Sequence, residues 1–127
     1  MKRILQTLVI ATLLSGCGKE QKASEETAAT ESEAQTPEQF GEELFNGKGN
    51  CFACHKPDQK IIAPSLVEIA TIYKKENGDM VKFLREEAEP IVDPSQYETM
   101  KTNFSITKNM SDEELQGLQA YVLSFAK

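Results

Sequence analysis

Apolar positions along the chain fall into three regimes. From Ile4 to Leu14 they are nearly continuous, broken only by Gln6, Thr7 and Thr12. From Gly18 to Thr36 the chain reads GKEQKASEETAATESEAQT and has no Val, Ile, Leu or aromatic residue. Beyond Thr36, apolar residues recur at intervals of three and four, which places them on single helix faces. Four helices are predicted there. The first opens on TPEQ, with Thr36 as N-cap, Pro37 at the first helical position and Gln39 closing a capping box. It carries Phe40, Leu44 and Phe45 on one face and stops near Gly47 and Gly49. The second, over residues 65–75, aligns Leu66, Ile69, Ala70 and Tyr73; the third, over 79–87, aligns Met80, Phe83 and Leu84. The fourth starts from Ser111 with Glu114 as its box partner and buries Leu115, Leu118, Val122 and Phe125, with Tyr121 beside them. No segment alternates as a strand does, so the predicted fold class is all-α. The stretch 89–108, with Pro90 and Pro94, is predicted as a long loop. Loops longer than about 12 to 15 residues are usually functional or disordered, so something besides protein is expected to organise this one.

The first regime, preceded by Lys2 and Arg3 and followed by small residues, predicts an export signal over residues 1–16. Its apolar run makes roughly 16 Å of helix, about half a bilayer core, which is too short to span. The run ends in LLSGC, which resembles the lipobox of bacterial lipoproteins. That resemblance implies acylation of Cys17 and cleavage on its N-terminal side. Residues 17–36 then form a lipidated cysteine and a solvated, disordered acidic tether. The alternative is a free or disulfide-bonded Cys17. The expected location is a bacterial membrane, with the domain facing the periplasm or cell exterior. Gly18 after the cysteine leans toward an outer membrane where there are two.

Composition narrows the function. Of 127 residues, 14 are Lys or Arg and 20 are Asp or Glu; without Lys2 and Arg3 the balance is 12 against 20, a net of −8. That sign argues against nucleic acid as a partner. The chain has three cysteines and one histidine, and Cys51, Cys54 and His55 fall within the stretch CFACH. C-x-x-C-H in an exported protein implies covalent haem: two thiols add across the vinyl groups and the adjacent imidazole ligates the iron. A zinc site lacks further Cys or His ligands, and a thioredoxin-like pair lacks its βαβ context. A disulfide at this spacing closes a loop too small to stabilise much and leaves His55 unexplained. One histidine excludes bis-histidine ligation within the chain. The remaining axial candidates are Met80, Met100 and Met110. Met80 lies on an apolar helix stripe and Met110 at a staple position before Ser111, whereas Met100 has no evident packing role. Met100 is therefore the first candidate and Met110 the second.

With these residues in view, the domain over 37–127 resembles a small class I c-type cytochrome. Gly41 and Phe45 on the first helix, with Leu118 and Tyr121 on the last, match the family's crossing helices. PSL matches its Pro-x-Leu segment and implies that the Pro64 carbonyl accepts a hydrogen bond from His55 Nδ1. MKTN matches its Met-x-x-Asn segment and again selects Met100, although the prolines that often flank the ligand are here Thr99 and Lys101. The resemblance implies one covalent haem c ligated by His55 and Met100, no catalytic residues, and single-electron transfer between respiratory redox partners by a monomer. The alternative is a haem sensor or peroxidase-like module with an open sixth position. Lys48, Lys56, Lys60, Lys101 and Lys108 flank the site segments, either as a docking ring for an acidic partner or as ordinary solvated lysines.

Overall fold

The computed structural model describes residues 35–127. The predicted signal peptide, Cys17 and nearly all of the tether lie outside the described residues. Five α-helices are present: α1 Pro37–Asn46, α2 Leu66–Glu76, α3 Met80–Leu84, α4 Tyr97–Thr107 and α5 Asp112–Leu123. Short 3₁₀ turns occupy Cys51–Ala53 and Pro94–Gln96, and no strand occurs among the described residues.

The helix starts follow from local chemistry. Thr36 accepts from the Gln39 N–H while the Gln39 side chain accepts from the Thr36 N–H. Ser111 and Glu114 make the same reciprocal pair at α5. Each box satisfies two backbone donors that the helix cannot satisfy itself. Ser65 and Asp79 cap α2 and α3. Two of the helices end through the left-handed conformation: Asn77 after α2 has φ 50° and Glu86 after α3 has φ 62°. Glu86 N–H donates to Phe83 O and Glu87 N–H to Lys82 O, which closes a Schellman motif. This closure corrects the predicted third helix, which ends at Leu84 rather than Glu87.

The central crossing is α1 against α5, and it is close because Gly41 meets Gly117. A Cβ on Gly41 would lie 1.9 Å from the Gly117 carbonyl oxygen. Phe45 and Tyr121 pack beside this contact with ring centroids 5.3 Å apart. Leu44, Phe45, Leu66, Tyr73, Leu115, Leu118 and Val122 form the adjoining core. Met110 is buried in that core together with Leu115, the packing expected of a staple before Ser111.

The expected loop over 89–108 is the main correction, because residues 97–107 are helical. Pro94 sits at the first position of a 3₁₀ turn, where a missing N–H costs nothing, and no further proline or glycine interrupts the chain before Gly117. Only Phe104 and Thr107 are fully buried on α4, so its apolar stripe is too narrow to be read as periodicity. Thr107 Oγ1 donates to Leu84 O at 2.6 Å, satisfying the end of α3 from the side. Met100, placed in a loop by sequence, is therefore on a helix.

Candidate functional site

The motif CFACH forms a single tight turn. Asn50, at φ 50°, turns the chain into the 3₁₀ segment. Cys54 N–H donates to Cys51 O at 3.2 Å and His55 N–H to the same oxygen at 3.0 Å. Both cysteines are free and half-buried. Burial pushes the Cys51 thiol up to about 11, and the neighbouring Cys54 adds to the rise.

His55 is oriented by the backbone. Its Nδ1 lies 2.7 Å from the Pro64 carbonyl oxygen. A carbonyl only accepts, so Nδ1 carries the proton and Nε2 keeps its lone pair for a metal. Burial also lowers the imidazole's pKa, opposed by the bond to Pro64, and the ring is neutral at pH 7 as ligation requires. The segment Ala63–Leu66 is itself secured: Ala63 N–H donates to Cys54 O, and Leu66 N–H to Lys56 O.

Cys51, Cys54 and His55 open into one cleft with walls drawn from every helix. Phe45 of α1, Leu66, Ile69 and Tyr73 of α2, Met80, Phe83 and Leu84 of α3, and Leu118 and Val122 of α5 line it. Helix α4 contributes Tyr97, Met100 and Asn103. The structure thus brings together Cys51, Cys54, His55, Pro64 and Met100. It also brings in Met80, read from sequence as core alone; Met80 is 4% exposed, in the core and on the cleft wall. Met110 is not among the cleft's lining residues. Sequence reading missed the walls contributed by Tyr73 and Val122, although both lie on the predicted apolar stripes.

The donor set fits haem. Two unpaired thiols and a neutral imidazole with a free Nε2 stand at one side, thioethers stand on the lining, and the remaining surface is largely aliphatic and aromatic. Such a surface favours a flat apolar macrocycle over water, and no cluster of His, Cys, Asp or Glu suited to a bare metal ion occurs among the described residues.

The five flanking lysines behave differently from a free cationic ring. Lys48 pairs with Glu114 at 2.6 Å, Lys60 with Asp93 at 3.0 Å, Lys101 with Glu98 at 2.9 Å and Lys108 with Glu86 at 2.7 Å. Lys56 alone of the five makes no ion pair among the described residues. Exposed apolar side chains near the site are Phe52, Ile61, Ile62 and Ile91.

An all-α domain with a C-x-x-C-H turn opening on an apolar cleft defines a protein that binds haem covalently. The family model for cytochrome c matches residues 39–126. The chain belongs to the cytochrome c family, and its cofactor is covalent haem c, with electron transfer as the chemistry. Among curated proteins no sequence matches this chain.

Proposed function

We propose that this chain is a single-haem electron carrier tethered to a bacterial membrane through a lipidated Cys17, with His55 and Met100 as the axial ligands. The observation that carries the reading is the cleft itself: Cys51, Cys54 and His55 line it together with Met100 from α4. Held by the His55 imidazole and the Met100 thioether, haem would supply one-electron chemistry and leave no ligand position for a substrate. The chain's own residues then do three things. Cys51 and Cys54 hold the group irreversibly, the Pro64 carbonyl keeps His55 in the ligating tautomer, and the apolar wall excludes water, which favours the less charged iron state and a positive potential. Met100 is preferred to Met80 because Met80 begins α3 within the core, where its side chain already packs.

The tether reading rests on LLSGC and on the polar run that follows. Nineteen residues reach roughly 24 Å if flexible. The domain's radius of gyration is about 12 Å, so the reach exceeds it and the domain can turn between a donor and an acceptor. With four of five flanking lysines neutralised by ion pairs, apolar residues such as Phe52 and Ile62 supply more of the docking face than charge does. The proposed role is that of a carrier and not an enzyme.

Two measurements test this. The Cys17→Ser protein should leave the membrane fraction with its haem in place; retention on membranes after a high-salt wash would refute the tether. The purified native protein should take up and release one electron reversibly and refuse carbon monoxide when reduced. Rapid carbon monoxide binding would instead show an open iron position and a sensor or peroxidase-like role.

A further inference from the structure

Helix α4 packs on α3 along its length, with Tyr97 at its start 6.3 Å from the Phe83 ring, and a single side-chain hydrogen bond ties it to the attachment turn. Its C-terminal half is anchored on α3: Phe104, 2% exposed, meets the Phe83 ring edge-on at 5.4 Å, and Thr107 bonds Leu84 O. Toward the attachment turn, one side-chain hydrogen bond reaches across. Asn103 Nδ2 donates to the Gly49 carbonyl oxygen at 3.1 Å, joining positions 54 apart in sequence. Asn103 follows Met100 by three residues, which is one helical turn on the same face, and both line the cleft. Gly49 precedes Cys51 by two residues.

The acceptor in this bond is rigid. Gly49 is buried, its N–H donates to Leu44 O at 2.7 Å, and a Cβ there would sit 2.8 Å from that oxygen and 3.0 Å from Cys51 Sγ. The other donor to the Gly49 carbonyl among the described residues is the Cys51 thiol, at 3.4 Å. A thiol is a weak donor, and conversion to a thioether removes its proton. The Asn103 amide is then the carbonyl's remaining partner.

We propose that Asn103 is a positioning residue: its amide fastens the Met100 turn of α4 to the haem-attachment segment and so sets how often Met100 leaves the axial position. The inference rests on the reading of Met100 as axial ligand. Phe104 and Thr107 keep the far end of α4 in place when the strap is cut, so the loss falls on the turn that carries Met100. A single neutral hydrogen bond shifts an open–closed equilibrium by about fivefold.

Imidazole titration of the ferric, full-length haem protein reads that equilibrium, because imidazole reaches the iron only when Met100 departs. Asn103→Ala should bind imidazole about fivefold more tightly than the unsubstituted protein. Asn103→Asp should do so at least as strongly, since a carboxylate of the same size accepts but does not donate. Thr36→Ala, which removes the exposed N-cap of α1 and touches no residue of the cleft, should lower the unfolding temperature and leave imidazole affinity unchanged. Should Asn103→Ala lose its haem, Asn103→Asp carries the test by itself. Affinities within twofold of the unsubstituted protein in the Asn103 variants, or an equal rise in Thr36→Ala, would overturn the proposal. Met100→Ala separates the two readings. If it tightens imidazole binding strongly while the Asn103 variants do not, only the strap is wrong; if it leaves binding unchanged, Met100 is not the ligand and the strap falls with it.

Discussion

Gly41→Ala and Gly117→Ala place one methyl group on opposite sides of the same helix crossing, and the structure assigns them different costs. At Gly41 the new Cβ would lie 1.9 Å from Gly117 O and 2.5 Å from Gly117 C. The nearer distance is roughly 1.6 Å inside ordinary contact of about 3.5 Å, and the obstacle is helical backbone. Helices α1 and α5 must separate, which loosens Phe45, Tyr121 and the core beneath them. Overpacking costs about 1–3 kcal/mol, and a clash with backbone belongs at or above the upper end. Alanine returns about 1 kcal/mol through its helix propensity, leaving a net loss of roughly 2 kcal/mol or more. At about 4–8 °C per kcal/mol for a domain of this size, the unfolding temperature should fall by roughly 8–16 °C. At Gly117 the nearest atom to a Cβ is Phe40 Cδ1 at 2.9 Å, an edge atom of a half-buried side chain whose ring can rotate aside. Gly117→Ala should therefore lie within a few degrees of the parent. Thermal unfolding of both haem-loaded variants, followed by helical circular dichroism, decides the matter. Equal losses, or a larger loss at Gly117, would refute the close-packed crossing described here.

Thr107→Val keeps the side-chain volume but leaves Leu84 O without its buried donor, so denaturant midpoints should report a loss of about 1–3 kcal/mol; an unchanged midpoint would mean that the carbonyl finds another partner. The Lys48 ammonium and the Ser111 backbone N–H hold the Glu114 carboxyl below its usual value. Its contribution is thus present at neutral pH and lost as pH falls through and below the ordinary Glu range near about 4.3. Glu114→Gln, which preserves the capping geometry, should flatten the acid side of the stability–pH curve. A slope as steep as the parent's would assign the acid sensitivity elsewhere.

Legibility differed between elements for physical reasons. TPEQ before α1 and SDEE before α5 were readable because a capping box is local: donor and acceptor lie three residues apart, and the pattern is complete in the sequence. CFACH was readable because thiols and imidazole are scarce in this chain and have few uses at that spacing. The bond from His55 to Pro64 spans nine residues and was reached through family resemblance, with no local signal to carry it. Helix α4 was hidden by its neighbours: Pro90 and Pro94 read as loop, and a helix lining a cofactor cleft mixes Thr99, Thr102 and Asn103 with Met100 where a core helix would be apolar. The early stop of α3 was hidden because Glu86 occupies a left-handed position where glycine usually marks the end. The lysines were legible as residues but not as charges. Lys48 and Glu114 are 66 positions apart, Lys60 and Asp93 are 33 apart, and only the fold pairs them.

The most direct test of the account is the optical spectrum of the ferric protein before and after Met100→Ala, read together with extraction of haem by acidified organic solvent. The account predicts a weak far-red charge-transfer band, typical of iron held by imidazole and thioether, in the unsubstituted protein. In Met100→Ala the band should be absent, with haem still resisting extraction because Cys51 and Cys54 are untouched. A band that persists in Met100→Ala, or haem that extracts freely from the unsubstituted protein, would contradict it.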